Sequence, residues 1–403
     1  MSPRAESSSD ARSAVAGMTL VTAGSMAANI AAYLLHLPAS RWLGPAGYGE
    51  FASLLAAQLV LAVPALALQT VVAREVVRGA SSHAGRALAG RCVVIVAVLA
   101  AAAVPVVSWA LDTGILATSA ALATAPVLVL LAGEQGLLQG QGRFVALSAV
   151  LASAGLGKVV PAVVVLGFGG GPGAALAASA VGTLTVAVGA RIFSGDTAAG
   201  TRMHFGVRDV LAASQVQLAL IALSSIDLVL ARMALSEHDA GLYALGAVAT
   251  KAAFWLPQAV GVVLYPRMAN PAQSAAAIRS ALGVLVGLGS LLVVGAALAA
   301  PLAPLVVGDE YRPVQSLLWV FALQGASLAV LQGALLSAIA GERTHLAVVA
   351  WIGLAVEIAL LLTVGTTIGR FVTVAASVAV LCAVVMGVLA VRAARYDAVR
   401  PVE

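Results

Sequence analysis

Long apolar runs alternate with short polar segments along the whole chain. The runs are about 20 residues each, the length of helix that crosses the hydrocarbon core of a bilayer. They fall near 14–37, 50–73, 92–111, 115–138, 144–167, 173–193, 210–231, 241–265, 279–300, 314–339, 345–367 and 371–391. The pattern therefore predicts an all-α polytopic membrane protein of about twelve transmembrane helices. The longest connection, 194–209, is too short for an extramembrane domain.

The runs repeat internally. Gly49-Glu-Phe-Ala52 follows the first run as Gly241-Leu-Tyr-Ala244 follows the seventh, and Arg41 and Arg232 precede them. Pro64 and Pro257 fall mid-run in the second and eighth; Gly142-Arg143 and Glu342-Arg343 follow the fourth and tenth. Matches that keep this order predict two six-helix lobes of the same orientation, pseudo-symmetric around a central cavity. The expected division is a cytoplasmic tail 1–13, a lobe 14–193, a cytoplasmic linker 194–209, a lobe 210–391 and a cytoplasmic tail 392–403.

Composition agrees with this pattern. Hydrophobic residues make up 61% and charged ones 10%, where soluble chains carry about 25% charged. A net charge of +5 would suggest nucleic acid in a soluble protein; here the charges lie between apolar runs. With both termini inside, sixteen of the 22 Lys and Arg face the cytoplasm. Such a bias sets orientation in a bacterial plasma (inner) membrane. Cys92 and Cys382 lie in separate apolar runs and read as small buried hydrophobes.

Five ionisable residues fall well inside runs: Glu134, Lys158, Asp227, Lys251 and Glu357. A charge at the bilayer centre costs about 2.5–3.5 kcal/mol on insertion scales, so such groups pair or line a wet cavity. Asp227 and Lys251 lie on one hairpin at depths differing by about 6 Å. They are expected as a fixed salt bridge or as a pair opened by an ion or anionic substrate. Lys158 and Glu357 hold equivalent places in the two halves, either pairing across a cleft or packing locally; Lys158 could otherwise meet a phosphate. Glu134 is closer to the cytoplasmic end and is expected to reach the interface. Amides recur as well, among them Asn29, Gln58 and Gln258. Amides bind helices together in lipid and also suit a glycan path. Arg74 and Arg267, ending the second and eighth runs, are candidate cytoplasmic contacts for a pyrophosphate.

Chemistry for catalysis is missing. Gly155-Leu-Gly-Lys158-Val lacks the leading Gly and trailing Ser/Thr of a phosphate-binding loop. The five histidines are scattered. No enzyme activity, metal or cofactor is expected.

Two segments carry a resemblance: Arg41-Trp-Leu-Gly-Pro-Ala-Gly-Tyr-Gly-Glu-Phe51, and Ser225-Ile-Asp227 followed by Ala240-Gly-Leu-Tyr-Ala244. They resemble the bacterial polysaccharide flippase family of the multidrug/oligosaccharidyl-lipid/polysaccharide exporter superfamily. The matching positions are Arg41, Leu43, Gly44, Pro45, Tyr48 and Gly49, then Gly241 and Tyr243. Twelve runs fall short of the fourteen spans of peptidoglycan lipid flippases. The resemblance implies two six-helix lobes and alternating access. It implies a polyprenyl-pyrophosphate-linked glycan as substrate, with H+ or Na+ as a coupling cation and membrane lipids around the protein. Glycan polymerase and glycosyltransferases are implied as neighbours in the cell envelope. A multidrug or toxin extrusion antiporter of the same superfamily is the alternative, for which an acidic, aromatic-lined cavity would be expected.

Overall fold

The computed structural model describes the backbone of residues 3–195, 204–255, 274–340 and 344–399. Side chains are described over 21–195, 204–255, 278–337 and 346–392. Helices account for nearly all of it, and among the described residues there is no strand. In lipid no water is available for unpaired N–H and C=O groups, so each spanning segment satisfies its own backbone as a helix. The outward surface is apolar, with Trp109, Leu116 and Phe168 more than 80% exposed, as suits a protein whose solvent is lipid.

The long helices are α1 (Pro3–Leu61), α2 (Val63–Val77), α3 (Ser82–Leu111), α4 (Ile115–Gly140), α5 (Phe144–Gly167), α6 (Pro172–Ser194), α7 (Val207–Leu223), α8 (Ile226–Ala234) and α9 (Glu237–Trp255). After these come α10 (Ser274–Ala299), α11 (Leu318–Ala340), α12 (Val348–Val364) and α13 (Ile368–Val399), with short helical turns between Ala300 and Gln315. Among the described residues, eight helices are long and apolar enough to cross a membrane, or nine with the bent pair α7–α8 as one span. The twelve-run reading is reached when the kinked stretch Val21–Val77 counts as two spans and the shorter α12 and the more polar α9 count as one each.

Two compact units divide the chain. One comprises Met1–Trp42 and Ala57–Gln215; the other comprises Leu43–Ala56 and Val216–Glu403. In the first, α4 packs against α2, α3 and α6, and α5 against α6. One core joins Leu68, Val72, Leu88, Val96, Val129 and Leu137; another joins Leu131, Leu138, Leu147, Val150, Ala187 and Ala190. Glycines let these helices approach closely: a Cβ on Gly136 would stand 2.7 Å from the Gln69 carbonyl oxygen. Gln69 Nε2 then donates to Gln139 Oε1 at 3.0 Å across the same α2–α4 contact. In the second unit α11 is central, packed on α9, α10 and α13. Its core gathers Leu220, Phe254, Leu328, Leu331, Leu335 and Met386.

The expected loop after the first run is not a loop. α1 stays helical through residues 38–49, interrupted at Gly44, where φ is +64° and ψ 177°. At about 1.5 Å per residue its 59 residues would span roughly 90 Å if straight, three times the ~30 Å hydrocarbon core. The bend is therefore obligatory, and a residue without Cβ takes the left-handed φ most cheaply. The second break comes at Ala62, whose N–H bonds Gln58 O at 2.9 Å. Pro64 accordingly sits in the first turn of α2 instead of mid-helix, where its missing N–H costs nothing. Pro257 lies outside the described residues.

The same segment explains a motif. Pro45, Tyr48 and Gly49 are buried, and Tyr48 is 0% exposed. A Cβ on Gly49 would stand 3.0 Å from Gly241 N, and one on Gly241 would collide with Pro45 O. The two motif glycines, 192 residues apart, thus face each other within the second unit. Gly241→Ala is expected to cost about 1–3 kcal/mol through overpacking. The purified protein should melt at lower temperature, and an unchanged melting curve would show that the two helices part freely.

Candidate functional site

The buried polar centre of the second unit is built at a broken helix. α7 ends at Leu223, α8 begins at Ile226, and their axes differ by 43°. The break leaves unpaired carbonyls at the end of α7 and unpaired N–H groups at the start of α8. Each end meets a charge of the opposite sign. Lys251 Nζ on α9 reaches Ser225 Oγ at 3.0 Å and Ser224 O at 3.5 Å, capping α7. Asp227, in the first turn of α8, places its carboxylate where the helix dipole favours an anion.

Asp227 is 1% exposed and fully hydrogen bonded. Its Oδ1 accepts the Leu228 N–H at 2.8 Å. Its Oδ2 accepts from Tyr243 Oη at 2.7 Å and from Gln324 Nε2 at 3.0 Å. Gln324 is oriented in turn by Thr250, whose hydroxyl lies 3.1 Å from Gln324 Oε1 and 2.9 Å from Phe321 O. The Tyr243 ring is clamped edge-on by Phe321 at 5.1 Å and Phe371 at 5.7 Å between centroids. Asp227 is thus held by neutral donors, and the direct Asp227–Lys251 salt bridge does not form. The ammonium acts on it at longer range, from the opposite side of the helix break.

Glu357 belongs to the same cluster. It lies on the buried stripe of α12 with Ala350, Gly353, Leu354 and Leu361. Electrostatically it is coupled to Asp227, Tyr243 and Cys382. Its Oε1 has no hydrogen-bond partner among the described residues. A buried carboxylate oxygen without a donor is costly, a cost that a proton or cation at this edge would lower. Two carboxylates against one ammonium leave one negative charge when all three are ionised.

Glu134 takes a different part from the one expected. Instead of reaching the interface it is 2% exposed, inside the first unit. Arg86 Nε on α3 approaches its Oε1 at 3.1 Å and its Oε2 at 3.3 Å. Ser194 Oγ donates to Oε2 at 2.5 Å, and Arg191 Nη1 lies 3.4 Å from Oε1. Arg86 Nη2 further donates to Ser194 Oγ at 2.8 Å and to Gly195 O at 2.7 Å. Both oxygens of the carboxylate are used in joining α3, α4 and α6.

The remaining candidates are scattered. Lys158 is half-buried on α5; its main-chain carbonyl accepts from Ser179 Oγ at 2.8 Å, and its ammonium has no partner among the described residues. Arg74 is exposed, with its guanidinium 5.6 Å from the centre of the Phe205 ring. Gln58 is buried and Asn29 exposed. Arg267 and Gln258 lie outside the described residues. Sequence reasoning did not foresee Phe321, Phe371 or Thr250 in the cluster. Gln324 was indistinguishable from the other amides, and Tyr243 was visible only as part of Gly241-Leu-Tyr-Ala244.

No family profile matches the chain and no curated protein matches its sequence. Its fold, however, is that of known transporters. An inward-facing multidrug resistance MATE family transporter of the MOP superfamily superposes with a TM-score of 0.68 at 12% identity, covering 91% of this chain and 95% of that one. The lipid II flippase MurJ, inward closed, gives 0.63 at 13% identity, covering 93% and 87%. The Vibrio cholerae MATE transporter VcmN in its bent form gives 0.57 at 15% identity, covering 96% and 99%.

Proposed function

We propose that the chain is a flippase, moving a lipid-linked oligosaccharide or polysaccharide precursor across a bacterial inner membrane by alternating access between two six-helix lobes. The observation that carries this reading is the packing of its two flippase-like segments. Pro45 and Gly49 of one close on Gly241 of the other. From that same short segment Tyr243 reaches Asp227. The motif residues are therefore a structural unit that positions an acidic centre. The fold it shares with the lipid II flippase MurJ supports the same reading.

Coupling is assigned to the Asp227–Glu357 edge. The net charge of one there is neutralised by H+ or Na+, and its loss or gain biases the lobes differently in the two orientations. Exposed Arg74 supplies a cationic contact for a pyrophosphate, and Lys158 is the second such candidate. Glycan polymerase and glycosyltransferases are the expected partners, and both termini are placed in the cytoplasm.

A second reading, a multidrug or toxin extrusion antiporter, is favoured by the MATE transporters among the structural neighbours. The chain's small aromatic content, 5%, argues against it, because organic cations bind best on aromatic faces. Reconstituted vesicles separate the two. A fluorescent polyprenyl-pyrophosphate oligosaccharide should cross faster than in empty vesicles, while ethidium flux should not change. Ethidium flux without glycan-lipid movement would reverse the assignment.

A further inference from the structure

The second unit carries an apolar groove that the proposed transport cycle does not use. It is a cavity of about 750 Å³ between α10, α11 and α13. Its floor is small, formed in part by Gly289, Ala326 and Gly387. Its rims are open: Val286 and Val294 on α10 and Val384 and Val388 on α13 are all about half exposed. At one end stands Arg392. That guanidinium is exposed and has no ion pair or hydrogen bond among the described residues.

We propose that this groove is a binding site for one acyl chain of an anionic phospholipid, with the lipid phosphate on Arg392. The lining on α13 runs from Val380 to Arg392, roughly 18 Å at about 1.5 Å per residue. One leaflet of hydrocarbon is about 15 Å thick, so the groove accepts one acyl chain from the interface to the midplane. A partner transmembrane helix needs a surface that continues through both leaflets. A polyprenyl carrier chain is several times longer than the slot. The charge is at the correct end: Arg392 closes the groove where α13 leaves the apolar run, and Arg395 and Arg400 follow it in sequence. A basic residue at the membrane surface draws an anionic headgroup by about 1 kcal/mol. The site belongs to the membrane-spanning fold alone and stands whether the cargo is a glycan lipid or a drug.

The test uses the full-length protein, purified in detergent and titrated with phosphatidylglycerol, phosphatidylethanolamine or undecaprenyl phosphate. Bound lipid is counted by native mass spectrometry, and melting temperature is read in parallel. Gly387 lines the groove and a Cβ there would meet nothing within 4 Å, so Gly387→Leu is chosen to put bulk into the groove. Arg392→Gln removes the charge and leaves the groove open. Phosphatidylglycerol should bind the wild type at least fivefold better than phosphatidylethanolamine. Arg392→Gln should abolish that preference, and Gly387→Leu should cut retention of both lipids at least fivefold, with both variants folded. An undiminished preference in Arg392→Gln, or full retention in Gly387→Leu, overturns the site. Undecaprenyl phosphate displacing phosphatidylglycerol from the wild type at equimolar ratio overturns the choice of occupant.

Discussion

Glu134→Leu is expected to destabilise the first unit by about 3–5 kcal/mol, the usual cost of removing one partner from a buried ion pair. The variant leaves Arg86, 11% exposed at its side chain, without its carboxylate partner, while Ser194 Oγ and Gly195 O still accept from Nη2. Arg86→Met should be comparably harmful, because among the described residues Glu134 then keeps Ser194 and the more exposed Arg191. The double variant Arg86→Met/Glu134→Leu should regain most of the loss, since two apolar side chains of similar volume suit a buried helix contact. Arg191→Ala, with a 59% exposed side chain, should cost less than about 1 kcal/mol. Denaturant titration of the purified protein measures all four. Single variants within about 1 kcal/mol of wild type would mean that water reaches the pair.

The largest expected effect on transport comes from Asp227→Asn. The substitution keeps the side-chain shape but removes the charge from the start of α8. It also sets an NH2 group among three donors, those of Leu228, Tyr243 and Gln324. Gln324 can turn its amide to accept, at the expense of its contact with Thr250. The fold should survive with a small loss of melting temperature. Glycan-lipid transport into vesicles should fall by about tenfold or more, equivalent to at least about 1.4 kcal/mol on the limiting barrier. Tyr243→Phe, which removes one donor and retains the charge, should fall between this variant and wild type. Transport at the wild-type rate in Asp227→Asn would reduce the cluster to packing.

The sequence predicts the spans well because lipid imposes a length and an apolarity that few other environments demand. Asp227 and Glu357 stand out for the same reason, being ionisable residues deep in apolar runs. Their partners do not. Tyr243 and Gln324 look like ordinary helix residues until α9 and α11 are placed against α8, a relation that local pattern does not encode. The break at Ser224–Ser225 is equally silent, because it contains neither Pro nor Gly. It persists through tertiary contacts, with Lys251 on one side and Asp227 on the other. Gly44-Pro45 was legible as a turn but not as a kink inside a continuing helix, since Gly followed by Pro ends most helices in water. Glu134 gives no sign of its partner in the sequence, because Arg86 lies six residues ahead of the apolar run 92–111. In the structure Arg86 is on the first turns of α3, and its guanidinium reaches inward.

The Arg86–Glu134 pair also bears on how the chain enters the bilayer during synthesis. α4 arriving alone would bring an unpaired carboxylate into hydrocarbon, a penalty of a few kcal/mol for a single charged residue. α3 and α4 are consecutive, joined at 112–114, and each carries one half of a neutral couple. They are therefore cheapest to insert together, as a helical hairpin whose charges cancel before either meets lipid. Asp227 arrives under a different schedule. Tyr243 follows it by 16 residues and can enter with it, but Gln324 is 97 residues away. The carboxylate must wait for the third quarter of the chain to finish before its last donor is made. Until then the nascent protein carries its most exposed liability at the residue on which its transport is proposed to depend.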